Sequence, residues 1–347
     1  MGGGSAVPRP PLALTMGDPA GIGPEITLKA WLARAANRLP AFVVYGDAAM
    51  YAARARAFGL SVSVQTVAAP AEAMTVFPSA LPVLSVELAS RSEPGQAKTA
   101  NAAAVIQSIE RAVADAACHG VSGVVTNPIA KSVLYAAGFN HPGQTEFLGA
   151  LAAAHRPGQH DRPVMMLASD MLRVVPLTIH VPLSSVPKMI TRQLIDETVR
   201  TTWSALRRDF GISNPRISVA GLNPHAGEDG ALGTEDRDII APAIRELQRE
   251  GFPISGPHSA DTLFHAAARE HYDAVIAMYH DQALIPIKTL SFDDGVNVTL
   301  GLPFVRTSPD HGTAFDIAPQ GRASAASLIA AIKLADTIAA RRAIAIS

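Results

Sequence analysis

The chain is expected to fold as an α/β protein of two lobes, each built on a largely parallel, helix-covered sheet, with a cleft between the lobes. Three observations carry that expectation. Short β-branched runs alternate with Ala-rich stretches of helical spacing along the 347 residues, the pattern of repeated βαβ units. Hydrophobic residues make up 48% of the chain and aromatics only 5%, so the apolar filling is Ala, Val, Leu and Ile, which suits parallel sheets covered by helices. The length exceeds the roughly 150 residues of an average domain. Breakers cluster at 138–143 and 292–295, and there the chain is expected to cross between lobes.

In chain order, strands are expected at 12–16, 42–45, 81–86, 121–126, 164–168, 172–179, 217–220 and 274–278, each an apolar or β-branched run bounded by turn formers. The first leads into Gly17-Asp-Pro-Ala-Gly21-Ile-Gly23-Pro24-Glu25, a Gly-rich turn opening a helix with Pro24 at its first position. Such a turn can offer main-chain N–H groups to an anion. Its spacing matches neither the dinucleotide fingerprint nor the P-loop, and no acidic residue stands clearly at the usual distance after it, so a tight turn is the commoner reading. Helical spacing marks 101–117 and 196–208, and 324–339 reads as a closing helix. Residues 1–10 read as a flexible tail, 11–138 with 292–347 as one lobe, and 139–291 as the other.

A formal charge of −1 supplies no cationic field for nucleic acid or an anionic membrane surface, so the expected partner is a small molecule. The start of the chain lacks the apolar stretch of a signal peptide. The Ala-rich end is broken by Lys333, Asp336, Arg341 and Arg342, and no membrane span is expected. The single cysteine, Cys118, excludes an intrachain disulfide and a cysteine-based zinc site; it fits a reducing cytoplasm and reads as a packing residue.

Three of the 11 histidines, His180, His225 and His280, each follow an apolar run that reads as a buried strand. In open α/β sheets ligands collect outside the carboxyl ends of strands, so imidazoles from distant segments can converge on a metal and leave positions open for chemistry. A single such histidine more often caps or hydrogen-bonds; three placed alike favour the metal. Gln144, Thr145 and Glu146 follow a turn and can orient a polar substrate or merely cap a helix. The stretch from Tyr279 to Lys288 sets a possible ligand, a carboxylate and a cation in what reads as one loop and strand. Lys288, Asn297 and Arg306 can bind phosphate or carboxylate, or stand solvated at the surface.

Gly17-Asp-Pro-Ala-Gly-Ile-Gly-Pro-Glu25, Gly143-Gln-Thr-Glu146, Asn223-Pro-His-Ala-Gly-Glu228, Ala260-Asp-Thr262, Tyr279-His-Asp-Gln282 and His311-Gly-Thr-Ala-Phe-Asp-Ile-Ala318 occur in this order. Together they resemble the 4-hydroxythreonine-4-phosphate dehydrogenase family of vitamin B6 synthesis, from about Leu12 to the last helix. The resemblance implies an isocitrate/isopropylmalate dehydrogenase-like fold, with the lobe of the chain ends on the cofactor side and the middle lobe for substrate and dimerisation. It implies His180, His225 and His280 as ligands of one divalent ion, zinc, cobalt or magnesium. Thr145, Lys288, Asn297 and Arg306 match substrate contacts. Gln144 stands where the family has histidine and cannot carry a proton.

His311, Gly312 and Thr313 begin a stretch similar to the cofactor loop of isopropylmalate and isocitrate dehydrogenases, which implies NAD or NADP. A homodimer with ligands from both subunits is also implied. The implied reaction oxidises the C3 hydroxyl of 4-phosphooxy-L-threonine to 2-amino-3-oxo-4-phosphooxybutanoate, which decarboxylates to 3-amino-2-oxopropyl phosphate; Asp281 is the candidate proton acceptor or the orienter of His280. Two alternatives stand beside it: a related dehydrogenase of threonate 4-phosphate or a cyclohexadiene diol carboxylate, and a non-catalytic metal- or anion-binding protein.

Overall fold

Each expected strand forms, and four further strands join them. The computed structural model describes residues 9–141, 143–155 and 162–346, and the chain divides into two compact units, Met1–Gln159 with Pro303–Ala339 and His160–Leu302 with Ala340–Ser347. The divisions thus fall near residues 160 and 302 rather than at 138 and 292. Helix Gln144–His155 packs on helix Ala102–Ala117, which keeps it with the first unit. Residues 1–8 of the expected tail and Pro142 lie outside the described residues. Arg9, placed in that tail by the sequence reading, is instead held by Asp336, whose carboxylate and main-chain carbonyl accept from its guanidinium at 2.7 and 3.0 Å.

The first unit carries β1 (Leu12–Thr15), β2 (Phe42–Gly46), β3 (Val64–Val67), β4 (Leu81–Ser85), β5 (Val124–Val125) and β12 (Arg306–Pro309). All pair in parallel, in the order β3-β4-β2-β1-β5-β12. Strand order reverses between β1 and β5, and ligands of open α/β sheets bind at such a switch point. The second unit carries β6 (Val164–Ala168), β7 (Arg173–Pro176), β8 (Ile217–Ala220), β9 (Ile254–His258), β10 (Ala274–Ala277) and β11 (Val296–Leu300). Here β11-β6-β7 pair antiparallel and β7-β10-β8-β9 parallel. Val174, Val175, Val219, Val275 and Ile276 are fully buried, as expected of parallel strands covered on both faces.

Two local readings change. Residues 280–290 form a helix, His280–Leu290, that runs through Pro286 at the cost of one main-chain hydrogen bond; the Ile-Pro-Ile run is not a strand. Cys118 is exposed at the end of helix Ala102–Ala117 rather than packed. Among the described residues no helix is long and apolar enough to cross a membrane.

One buried carboxylate fastens the end of the chain to the second unit. Asp209 is 1% exposed and accepts from Arg342 at 2.7 and 2.8 Å and from Arg208 at 2.7 and 3.0 Å. Burial opposes its charge, but the hydrogen bonds and charges of Arg342 and Arg208 outweigh burial and hold the carboxyl below the usual range. Asp209→Ala is expected to cost about 3 kcal/mol in urea denaturation at pH 7, since it strips a buried ion pair of one partner. A depressed folded pKa gives stability that is complete above the unfolded value and fades as pH falls through the folded one. Wild type is therefore expected to lose more stability than Asp209→Asn between about pH 5 and pH 2.

Candidate active site

In the second unit, register brings two of the three histidines together. Strands β7 and β10 run in parallel with Pro176 beside Ala277, so the loops leaving them start side by side. Leu177 N–H donates to the Ala277 carbonyl and the Thr178 hydroxyl to the Met278 carbonyl, each at 2.8 Å. A few residues on, the His180 and His280 rings stand 5.7 Å apart between centroids, tilted by 44°. A cavity of about 410 Å³ opens over them, lined also by Ile179, Val181, Leu183, Val186, Tyr279 and Asp281.

Nδ1 of His280 lies 2.6 Å from Asp281 Oδ1. With the proton on Nδ1, the ring donates to the carboxylate and Nε2 keeps its lone pair for a ligand bond. Gln282, which the sequence reading left without a role, ties the site's floor: it accepts from Met278 N–H at 2.6 Å and donates to the Gly221 carbonyl at 2.8 Å.

His225 does not join that pair. Among the described residues no group of three or more His, Cys, Asp or Glu side chains gathers closely enough to hold a metal ion. His225 lies instead beside Asp261, whose carboxyl is held below its ordinary range first by the Ser259 hydroxyl and in smaller part by the His225 ring. It opens a run of left-handed backbone after β8. Lys288 sits two turns along the helix from His280, 5.4 Å from the Phe292 ring centroid. Asn297, on β11, keeps a buried side-chain oxygen without a hydrogen-bond partner among the described residues.

In the first unit, Arg306 is 3% exposed on β12. Its guanidinium donates to Thr126 Oγ1 at 2.7 Å and Gln144 Oε1 at 3.2 Å, and desolvation pushes its pKa down to about 10. It therefore remains a cation at neutral pH, held in surroundings that favour an anion beside it. Gln144, with Thr145 next to it, opens helix Gln144–His155; its oxygen is occupied by Arg306 while its buried Nε2 has no hydrogen-bond partner among the described residues.

The Gly-rich turn lies at the switch point after β1. Four of its N–H groups are already paired: those of Asp18, Ala20, Gly21 and Ile22 donate to Pro128, Asp18 Oδ1, Asp18 and Thr313 oxygens. Those four bonds close a tight turn and leave these N–H groups unavailable to an anion. Burial raises the Asp18 carboxyl, opposed by the Ala20 N–H. Gly17 has φ +70° and faces Asn127 so closely that a Cβ would meet it at 2.7 Å; at Gly21 a Cβ would lie 2.9 Å from the Thr313 carbonyl oxygen. The turn is thus packed directly on the loop of His311, Gly312 and Thr313, where Gly312 faces open space.

The first unit, with a Gly-rich turn at the switch point of a parallel sheet and a desolvated guanidinium, and the second, with paired imidazoles over a cavity, each have features of an α/β enzyme that acts on small molecules. Residues 38–335 match the family described as pyridoxal phosphate biosynthetic protein PdxA. A 4-hydroxythreonine-4-phosphate dehydrogenase of Bradyrhizobium diazoefficiens is 55% identical over 340 residues, covering 96% of this chain and 98% of that protein. A crystal structure of 4-hydroxythreonine-4-phosphate dehydrogenase from Klebsiella pneumoniae superposes with a TM-score of 0.83 at 36% identity, covering 95% of this chain and 100% of the other. A terephthalate 1,2-cis-dihydrodiol dehydrogenase from Burkholderia xenovorans LB400 gives 0.61 at 30% identity, covering 95% and 98%. The chain belongs to the PdxA family.

The contact between turn and loop is testable on stability alone. Gly21→Ala sets a methyl against a backbone oxygen that cannot swing away, and a loss of about 1–3 kcal/mol is expected in chemical denaturation.

Proposed function

We propose that the chain is a metal-dependent 4-hydroxythreonine-4-phosphate dehydrogenase, oxidising the C3 hydroxyl of 4-phosphooxy-L-threonine with NAD or NADP in the cytoplasm. The product, 2-amino-3-oxo-4-phosphooxybutanoate, is a β-keto acid that loses CO2 to give 3-amino-2-oxopropyl phosphate on the way to pyridoxine 5'-phosphate. The observation that carries this reading is the pairing of His180 with His280 over a cavity, with Asp281 on His280 Nδ1.

The donor set fits a divalent ion such as zinc, cobalt or magnesium. His180 and His280 of one chain would hold it with His225 of a second copy. Leu183, Ile285 and Phe292, which are 67%, 64% and 73% exposed, give the second unit apolar surface for such a homodimer to cover. When bound, the metal would polarise the C3 oxygen and lower the hydroxyl's pKa.

The chain's own groups do the rest. Asp281 takes the hydroxyl proton or keeps His280 in its ligating tautomer, and being 69% exposed at its side chain it can pass a proton to water. Arg306, Lys288 and Asn297 bind the phosphate and carboxylate ends, while Gln144 Nε2 and Thr145 donate to substrate oxygens. His311, Gly312 and Thr313 would hold the nicotinamide, which when bound would supply the hydride acceptor. The dihydrodiol dehydrogenase likeness favours a second reading, in which an unphosphorylated diol carboxylate is the substrate.

Purified protein loaded with Co2+ and NAD is expected to form NADH faster from 4-phosphooxy-L-threonine than from threonate 4-phosphate or an unphosphorylated cis-diol carboxylate; preference for the diol replaces the substrate. His225→Ala should lose bound metal and NADH formation together, and unchanged turnover without metal would end the mechanism. Arg306→Ala should raise KM for the phosphorylated substrate by about 10- to 100-fold, the loss of roughly 1.5–3 kcal/mol from hydrogen bonds to a charged group.

A further inference from the structure

From His225 to Gly230 the backbone runs left-handed without a break. Their φ values are 52°, 52°, 84°, 41°, 54° and 104°, and His225, Ala226, Glu228 and Asp229 all bear the Cβ that makes this conformation unfavourable. Such a run persists only where its surroundings impose it, and strain of this kind gathers at functional sites.

The imposing group is Asp236. Its side chain is 1% exposed, and it accepts from the N–H groups of Leu222 at 2.8 Å and Asn223 at 3.0 Å and from Asn223 Nδ2 at 3.0 Å. These bonds fix the chain immediately before the left-handed run. Arg237 grips the far end by donating to the Asp229 carbonyl at 3.2 Å. Both residues stand in the π-helical turn Asp236–Ile240 that leads directly into helix Ala241–Arg249, so the clamp is braced by regular structure. Within the run, Ala226 N–H returns to Asn223 and Leu232 N–H to Gly227.

We propose that Asp236 is a positioning residue for His225: by clamping Leu222 and Asn223 it holds the left-handed turn that presents the imidazole as a metal ligand. The purpose of that presentation rests on the metal reading above; the clamping does not.

Two readouts separate these. In Asp236→Asn, amide hydrogen exchange at 222–231 is expected to accelerate at least tenfold in metal-free protein while β10 keeps its protection. Co2+ affinity should fall about 10- to 100-fold, the usual effect of removing a ligand's supporting partner. Adding Ala226→Gly to Asp236→Asn should recover part of that affinity, because glycine adopts left-handed backbone without penalty; general destabilisation would not be rescued this way. Should Asp236→Asn fail to fold, Asn223→Ala, which removes one of the three bonds, must shift both readouts several-fold in the same direction. Wild-type exchange at 222–231 or wild-type Co2+ affinity in the folded variant overturns the proposal. Wild-type protein that binds no Co2+ overturns the metal reading instead, and exchange alone then decides the clamp.

Discussion

Parallel pairing of β10 with both β7 and β8 is the constraint on which the second unit's chemistry depends. Parallel strands deliver their carboxyl ends to one edge, and the register of Ala277 beside Pro176 and Ile276 beside Val219 makes three loops leave that edge together. Gln282 then ties the β8 exit to the β10 exit through Gly221 and Met278. Beneath them Leu167, Val174, Ala220, Val275, Ala277, Ala283 and Ile287 form one buried cluster. The cluster fixes the strands, the strands fix the loop origins, and the loops set the imidazoles. An imidazole pair assembled from residues a hundred positions apart needs no local motif, because the sheet supplies the geometry.

The first unit solves the opposite problem, of keeping a charge inside a sheet. Strand β12 is Arg306-Thr-Ser-Pro309, wholly buried and largely polar. Thr307 donates to the Ala331 carbonyl and Arg306 to Thr126 and Gln144, which answers the rule that buried polar groups must be hydrogen-bonded. The result is a cation already stripped of most of its water. An oxyanion arriving beside it gains more than it would from a solvated arginine, since much of the desolvation cost falls on folding rather than on binding.

These two arrangements explain what could be read from the sequence. Strands such as Val164–Ala168 and Ile217–Ala220 are continuous apolar runs, and their period and bounding turns announce them. Three of the four missed strands are missed for physical reasons. Val64–Val67 and Ile254–His258 lie at the ends of the strand order, where Gln65, Thr66, Ser255 and His258 are exposed, and β12 hides its burial behind polar residues that are satisfied only in three dimensions. The expected strand after His280 is a helix because Ile287 and Ala283, four apart, face the core together, a spacing that the intervening proline disguises. At the site, residue types brought the histidines and Arg306 forward as candidates, and the order of motifs gave the family. Neither signals Asp236 or Gln282, whose roles are hydrogen bonds to main chain.

The separation of His225 from the pair has a thermodynamic consequence on the proposed reading. Three protein ligands and an open position characterise catalytic sites of this kind, yet one chain presents two imidazoles within reach of each other. If the third comes from a second copy, metal binding and association are linked equilibria, and each must strengthen the other by the same factor. A metal with two nitrogens on a lone subunit is held weakly, whereas the assembled pair offers a third ligand whose turn is already set. The order imposed on residues 225–230 therefore matters most before assembly: a left-handed turn fixed in the free subunit leaves little conformational entropy to lose when the subunits and the ion meet.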